Sequence, residues 1–469
     1  MDTNIEKAIQ IVPSERQLSW QRLEFTAFLH YGLNSFTNSE WGTGAVDTSI
    51  FNPQKLNTDN WCESLMAAGI KACLFTAKHH DGFCLWDTKQ TEYSVMNSPY
   101  GKDILAQLKL SCKKYGMKLG IYLSPWDRHE SRYGTGKAYD DYYCAQITEL
   151  LTNYGDIYCV WFDGACGEGE NGKKQRYDWD RYFKLIRKLQ PNAVMSICGP
   201  DVRWCGNEAG DCRESEWSVV PIELRNAELV ANNSQKEDND IFVKTPLKSS
   251  ERDLGSRKKI EEEDELIWYP SEVDVSIRPG WFYHENQDNK LRSLEELFEL
   301  YKKTVGGNSV LLLNVPPHYD GYIAECDSVR LAELGKLIRE TFSNNLSVGA
   351  KLSASSTAEE KAINFVTHND DTYWKAADGQ ESCEIAIQFD SIQKIKCVVL
   401  MEHIKLSQRI EAFEIYAKND KEQTCVYCGT TVGYKKICTL PDGISAQELI
   451  IKIIASRSCP TLEFIGVYR

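Results

Sequence analysis

The chain has 469 residues, 42% of them hydrophobic and 26% charged, and a formal net charge of −14. That length exceeds one ordinary core and calls for a large domain plus a smaller one, and the composition excludes a disordered chain. The acidic balance disfavours nucleic acid and anionic membranes as partners, since both would be repelled, and leaves neutral ligands such as sugars open.

Met1-Asp2-Thr3-Asn4 has no basic start and no apolar run, so no signal peptide is visible. The chain reads as cytoplasmic as it stands, and as periplasmic or secreted if such a segment has been removed. No stretch approaches the ~20 apolar residues of a membrane span. Strand and helix then alternate. Thr58 reads as the N-cap of a helix over 58–66, stopped near Gly69, and 72–77 as a buried strand. The pairs 103–115 (helix) and 118–123 (strand), 139–153 and 157–162, and 179–189 and 194–198 follow, with Gly116, Gly155 and Pro191 as stop signals. Short apolar runs between amphipathic helices predict a parallel sheet covered on its outer face. Residues 213–268 do not read as a regular repeat, and 261–265 reads as a solvated helix start or loop. The last helix, strand and helix of the repeat fall at 293–305, 309–313 and 328–342.

A closed (β/α)₈ barrel and an open doubly wound sheet both fit this rhythm. Reactive side chains decide for the barrel. Lys78, His79, His80 and Asp81 follow one strand, Tyr122, Ser124 and Asp127 lie at or after the next, Asp163 follows the third, and 201–208 follow the fourth. Successive strands delivering polar groups at their C-terminal ends is the active-site arrangement of a barrel. No glycine-rich nucleotide motif follows any strand. From about Leu352 short alternating segments take over, at 384–389, 397–401, 412–417 and 449–453, with turns at Asn419-Asp420 and Pro441-Asp442-Gly443. The expectation is an α/β (β/α)₈-like barrel over 1–346 followed by an all-β sandwich over 352–469.

The 17 cysteines are scattered through predicted strands and helices and read as buried, reduced thiols. The one CxxC, Cys425 and Cys428, lacks the second pair of a structural zinc site.

Candidate chemistry concentrates at four places. In Val160-Trp161-Phe162-Asp163-Gly164 an aspartate follows three bulky core residues, which sets it at a barrel rim. Glu208 lies on the glycine-flanked loop Gly206-Asn207-Glu208-Ala209-Gly210, with Glu214 and Glu216 as rival acids. Two carboxyls from neighbouring strands suit a glycosidase, and a retaining one needs them roughly 5–5.5 Å apart. His79-His80 and His30 occupy strand-end contexts without HExxH or comparable metal spacing, which suits neutral imidazoles that bind sugar hydroxyls. Trp41, Trp86, Tyr122, Trp126, Trp161, Trp217 and Trp281 supply aromatic faces for a sugar ring, most of them expected to be ordinary packing.

These segments carry a resemblance. Phe28-Leu29-His30-Tyr31-Gly32, Ala77-Lys78-His79-His80-Asp81-Gly82-Phe83, Gly120-Ile121-Tyr122-Leu123-Ser124 and Val160-Trp161-Phe162-Asp163-Gly164 resemble glycoside hydrolase family 29, the α-L-fucosidases, over about residues 10–345. The resemblance implies a retaining enzyme on a (β/α)₈-like barrel that needs no metal or other cofactor, acting on a fucosylated oligosaccharide or glycoconjugate. It implies Asp163 as nucleophile and His30, Glu40, Trp41, His79, His80, Tyr122 and Trp281 as fucose-binding residues. The run from Gly206 through Arg213-Glu214-Ser215-Glu216-Trp217-Ser218 is similar to the branch acting on α-1,3 and α-1,4 links of Lewis-type glycans, and in that branch Glu208 matches the acid/base. The alternatives are a non-catalytic glycan-binding protein on a decayed scaffold and a retaining hydrolase of a related sugar such as galactose. Phe389-Asp390, the run 398–402, Arg409-Ile410, Gly429-Thr430-Thr431-Val432-Gly433 and Ile465-Gly466-Val467-Tyr468 resemble a discoidin-like (F5/8 type C) module.

Overall fold

Ten short strands precede residue 320 in the computed structural model, which describes residues 3–228, 230, 246–358, 372–420 and 422–469. They are β1 (Phe25–Leu29), β2 (Ala72–Lys78), β3 (Lys118–Leu123), β4 (Ile157–Phe162), β5 (Val194–Ile197), β6 (Arg203–Trp204), β7 (Val219–Pro221), β8 (Leu266–Trp268), β9 (Ser271–Ser276) and β10 (Ser309–Asn314). Eight of them pair in parallel in the order β5-β4-β3-β2-β1-β10-β9-β6. A parallel bridge between Ser196 and Val202 brings the two ends of that order together. Most of these strands are short and apolar because helices cover their outer face, and every residue of β1, β2 and β10 is buried. The result is the (β/α)₈-like barrel expected from the sequence.

Local signals set the helix ends. Asp103 caps the helix Ile104–Tyr115 by accepting the Ala106 N–H, and Gly116, at φ 67°, closes it in a left-handed turn. Ser293 and Glu296 form a capping box on Leu294–Thr304. One predicted cap moves by a residue. Asn57, not Thr58, caps Thr58–Ala67, because its side chain accepts the Asn60 N–H while the Thr58 hydroxyl bonds Ser111. The irregular stretch 213–268 holds β7 and β8, an antiparallel pair outside the barrel, and residues 231–245 within it lie outside the described residues.

The C-terminal part is two antiparallel sheets. Strands Lys351–Ala354, Cys383–Lys394, Ser445–Ser456, Ile410–Asn419 and Glu422–Gly429 form one in that order, and Lys436–Thr439, Cys397–Met401 and Phe464–Tyr468 form the other. Ile385, Ile387, Phe413, Ile415, Val398, Leu400 and Ile465 pack into the core between them. Polar bonds join this sandwich to the barrel. Gln408 accepts the Ser218 N–H at 2.8 Å and donates to the Glu216 carbonyl at 3.0 Å. Arg457 lies 3.7 Å from the Trp217 ring centroid, and Lys436 donates to the Glu214 carbonyl at 3.2 Å. The sandwich thus grips the far end of the loop that carries Glu208. Among the described residues no helix is long and apolar enough to cross a membrane.

Candidate active site

A pocket at the C-terminal ends of the barrel strands is lined by Phe28, His30, Glu40, Trp41, His79, His80, Trp161, Asp163, Ala165, Glu208, Asp274 and Trp281. A larger hollow of about 990 Å³ lies at the opposite strand ends, between Trp20, Lys113, Lys118 and Tyr154. The small pocket holds the convergent acids and imidazoles, so we place the chemistry there.

Asp163 comes directly after β4, and its side chain is 20% exposed. Its carboxylate accepts the Tyr122 hydroxyl at 2.9 Å and the Ala165 N–H at 2.7 Å. Burial raises its pKa to about 6, and the bonds from Ala165, Tyr122 and Gly164 hold it from rising further. It is therefore mostly ionised at neutral pH. Tyr122 is fully buried and sits behind the pocket wall as the hydroxyl donor to Asp163.

Glu208 has the opposite environment. Its Oε2 is buried with no hydrogen-bond partner among the described residues. Burial, then the carboxylates of Asp274 and Asp163, push its pKa well above the usual carboxylate range, with the Trp281 side chain acting the other way. Two acids in one pocket are thus driven apart in proton affinity, one toward the bare form and one toward the protonated form.

The rivals of Glu208 do not line the pocket. Glu214 is exposed, and its carbonyl accepts the Thr430 hydroxyl at 3.1 Å. Glu216 is 3% exposed and clamped between Arg203 and Arg213, 3.1 Å from the latter. Its carboxylate neutralises two buried guanidinium groups. Glu216→Ala is accordingly expected to cost about 3–5 kcal/mol of stability, by leaving those charges uncompensated. Chemical denaturation would measure the loss, and an unchanged midpoint would refute this structural role.

The strand ends at Lys78, which frees both imidazoles of the doublet to face the pocket. Three bonded neighbours set their tautomers. Ser124 donates its hydroxyl hydrogen to the Trp126 carbonyl, so its oxygen accepts from His80 Nδ1 at 2.7 Å. Asn314 donates to the Trp281 carbonyl at 2.8 Å, which turns its Oδ1 to His30 Nδ1, also at 2.8 Å. His80 and His30 thereby present bare Nε2 atoms as acceptors. Asn34 donates to the Glu40 carbonyl at 2.9 Å and approaches His79 Nδ1 at 3.4 Å, so His79 presents an N–H donor. Burial lowers the pKa of His30 and His80 to about 3 and of His79 well below its ordinary value, so all three are neutral at physiological pH. Ligand atoms of His79, His80 and Asp163 lie within 4.8 Å of one another.

The model for the α-L-fucosidase family matches residues 4–341. The chain belongs to the α-L-fucosidase family. It is 38% identical over 468 residues to alpha-L-fucosidase 1 of Arabidopsis thaliana, covering 97% of this chain and 87% of that one. A Bacteroides ovatus structure, provisionally assigned as an alpha-L-fucosidase, is 43% identical with a TM-score of 0.84, covering 99% of this chain and 75% of that one. A Ruminococcus gnavus glycoside hydrolase family 29 fucosidase solved with fucose is 31% identical with a TM-score of 0.84, covering 98% and 95%. This chain is an α-L-fucosidase glycoside hydrolase.

Several residues of the fucosidase site were not among the sequence candidates. Asp274 lines the pocket from β9 and accepts the Trp204 indole N–H at 2.7 Å, and its own pKa is raised to about 7, chiefly by burial. Glu272, one inward position below, accepts the Trp161 indole N–H at 2.8 Å and is raised to about 8 by burial. His284 donates from Nε2 to Glu40 at 2.6 Å, and Glu40 also accepts the Trp281 N–H at 2.9 Å. Gly280 allows that turn, since a Cβ there would stand 2.4 Å from Glu40 Oε1. The aromatic set divides. Trp41, Trp161 and Trp281 line the pocket, and Trp126 packs behind, 4.9 Å from His80 between ring centroids. Trp86 is buried against Glu149, and Trp217 sits under Arg457 at the sandwich.

Proposed function

We propose that this fucosidase is a retaining exo-enzyme that removes terminal α-1,3- or α-1,4-linked fucose from branched, Lewis-type glycans by double displacement. Asp163 is the nucleophile. Its carboxylate attacks the anomeric carbon as the glycosidic bond breaks, and Glu208 gives its proton to the leaving oxygen. Water then attacks the fucosyl ester, Glu208 takes its proton, and Asp163 leaves as carboxylate. The observation that carries this reading is the contrast between the two acids, one hydrogen-bonded as an anion and the other with a buried carboxyl oxygen that has no partner among the described residues and with the Asp274 carboxylate nearby.

His30, His79 and His80 are assigned to the fucose hydroxyls, two as acceptors and one as donor. Glu40, Trp41 and Trp281 complete that wall, and Tyr122 holds the nucleophile. Sugar hydroxyls, rather than a cation, are the ligands assigned to His79, His80 and Asp163, because a metal-bound carboxylate would be a poor nucleophile. The chain is read as two domains, 1–346 and 352–469, the second a discoidin-like module. Its contacts to Glu214, Glu216 and Ser218 favour a bracing role for the loop that carries Glu208.

The test is a substrate panel of a Lewis trisaccharide, a nitrophenyl fucoside and a nitrophenyl galactoside, followed by proton NMR of the first sugar formed. Fucose release from the trisaccharide with little from the aryl fucoside, as the α-anomer, is the expected result. A β-anomer as first product would overturn retention, and preferential cleavage of the aryl fucoside would overturn the linkage assignment.

Asp274 extends the reading. Its negative charge helps Glu208 keep a proton, so Asp274→Asn, which preserves an oxygen acceptor for Trp204, lowers the Glu208 pKa. The basic limb of the kcat/KM profile is expected to move to lower pH. A basic limb that stays in place would remove Asp274 from this role.

A further inference from the structure

Cys425 and Cys428 are the exposed members among the free cysteines, and both lie on Glu422–Gly429, an edge strand of the sandwich. A β-bulge sets their geometry. Tyr427 pairs with Ile415 and Cys425 with Tyr416, which leaves Val426 as the extra residue. Val426 and Tyr427 both pack toward the sandwich core. The flanking cysteines therefore share the outer face, three positions apart in sequence but opposite Glu414 and Tyr416, two positions apart on the neighbouring strand. Two steps along a strand span about 6.6 Å. That is at the upper end of the roughly 4.4–6.8 Å that a disulfide bridges between Cα atoms, and a bulge bends the strand and shortens the span. The sulfur atoms already stand 3.6 Å apart. By contrast Cys73 and Cys112, 3.7 Å apart, are buried and out of reach of a dissolved reagent.

We propose that Cys425 and Cys428 form a redox-responsive dithiol that exchanges with low-molecular-weight disulfides of the glutathione type and closes into a bridge within the strand. The Cys425 S–H points to the Tyr427 carbonyl at 3.6 Å, and burial and its neighbour raise its pKa. Cys428 thus makes the first attack. Its thiolate displaces one glutathione thiolate and forms a mixed disulfide. Cys425 loses its proton to solvent, attacks the Cys428 sulfur and expels the second thiolate. The protein dithiol is oxidised by two electrons, and one glutathione disulfide is reduced to two glutathione molecules. The pocket has no lining residue from the sandwich, so the dithiol is a site separate from the pocket.

The test equilibrates the reduced full-length protein with oxidised glutathione at mildly alkaline pH, quenches with N-ethylmaleimide, and maps the peptides by mass spectrometry. The peptide holding both cysteines is expected to lose two hydrogens, carry no glutathione and resist alkylation until dithiothreitol is added. In Cys425→Ser the remaining thiol is expected to keep one glutathionyl group, because no partner resolves it, and Cys428→Ser is expected to react more slowly and then behave alike. Both substitutions are on the surface, and an unchanged melting temperature and fucosidase rate would show that they fold. A wild-type peptide that keeps a glutathionyl adduct, or whose thiols are both fully alkylated after treatment, would overturn the proposal.

Discussion

Asp163→Ala is expected to lower kcat/KM by on the order of 10⁴-fold or more on every fucoside, whatever its leaving group. Asp163 is the carboxylate that the pocket prepares as an anion. Tyr122 and the Ala165 N–H both donate to it, so its proton is off before substrate arrives. In the proposed double displacement, removing it abolishes the covalent step rather than weakening binding, so kcat should fall far more than KM rises. The fold should not suffer. Burial raises the Asp163 pKa to about 6, so the ionised form is disfavoured in the folded state and its cost grows as pH rises through that value. A neutral replacement should leave the melting temperature unchanged or raise it. Azide, entering from the face the carboxylate vacates, should give a fucosyl azide of inverted configuration. Near wild-type turnover in the variant would end the nucleophile assignment.

The ease of reading the site from the sequence follows from which way polar residues point. β2, β3 and β4 are visible because their runs are apolar, and their candidate residues come at or just after the end of the run. β9 is hard to read for the converse reason. In Ser271-Glu272-Val273-Asp274-Val275-Ser276 the acids alternate with valines, and alternation normally sends the charged face to water. Here helices cover the outside and the acids turn into the barrel, where indole N–H groups from Trp161 and Trp204 meet them. The pattern was present, but its polarity is inverted in a barrel that hosts a site. Choosing among Glu208, Glu214 and Glu216 needed three dimensions for another reason. What retires Glu216 is the pair Arg203 and Arg213, and no spacing rule says that two arginines converge on one glutamate. His284 was invisible on the same grounds, since its link to Glu40 spans 244 positions.

Glu208→Ala should be selective where Asp163→Ala is not. With natural fucosides, whose sugar alkoxide is a poor leaving group, the loss should reach about 10²–10⁴-fold, the usual weight of general acid catalysis. With fucosyl fluoride, whose leaving group needs no proton, the first step should be nearly intact and the covalent intermediate should accumulate. The asymmetry rests on one proton. Burial and the neighbouring anions Asp274 and Asp163 keep it on Glu208 in the free enzyme. In the proposed mechanism Asp163 then becomes a neutral ester, so one of those anions is gone, the Glu208 pKa falls, and the same group can take a proton from water. Azide needs no base, so it should rescue the variant and give a fucosyl azide of retained configuration, the opposite of the product from Asp163→Ala. The basic limb of the pH profile should also vanish with Glu208, because no other pocket acid is then required to stay protonated. Equal losses on fucosyl fluoride and on a natural glycan would mean that some other group carries the proton.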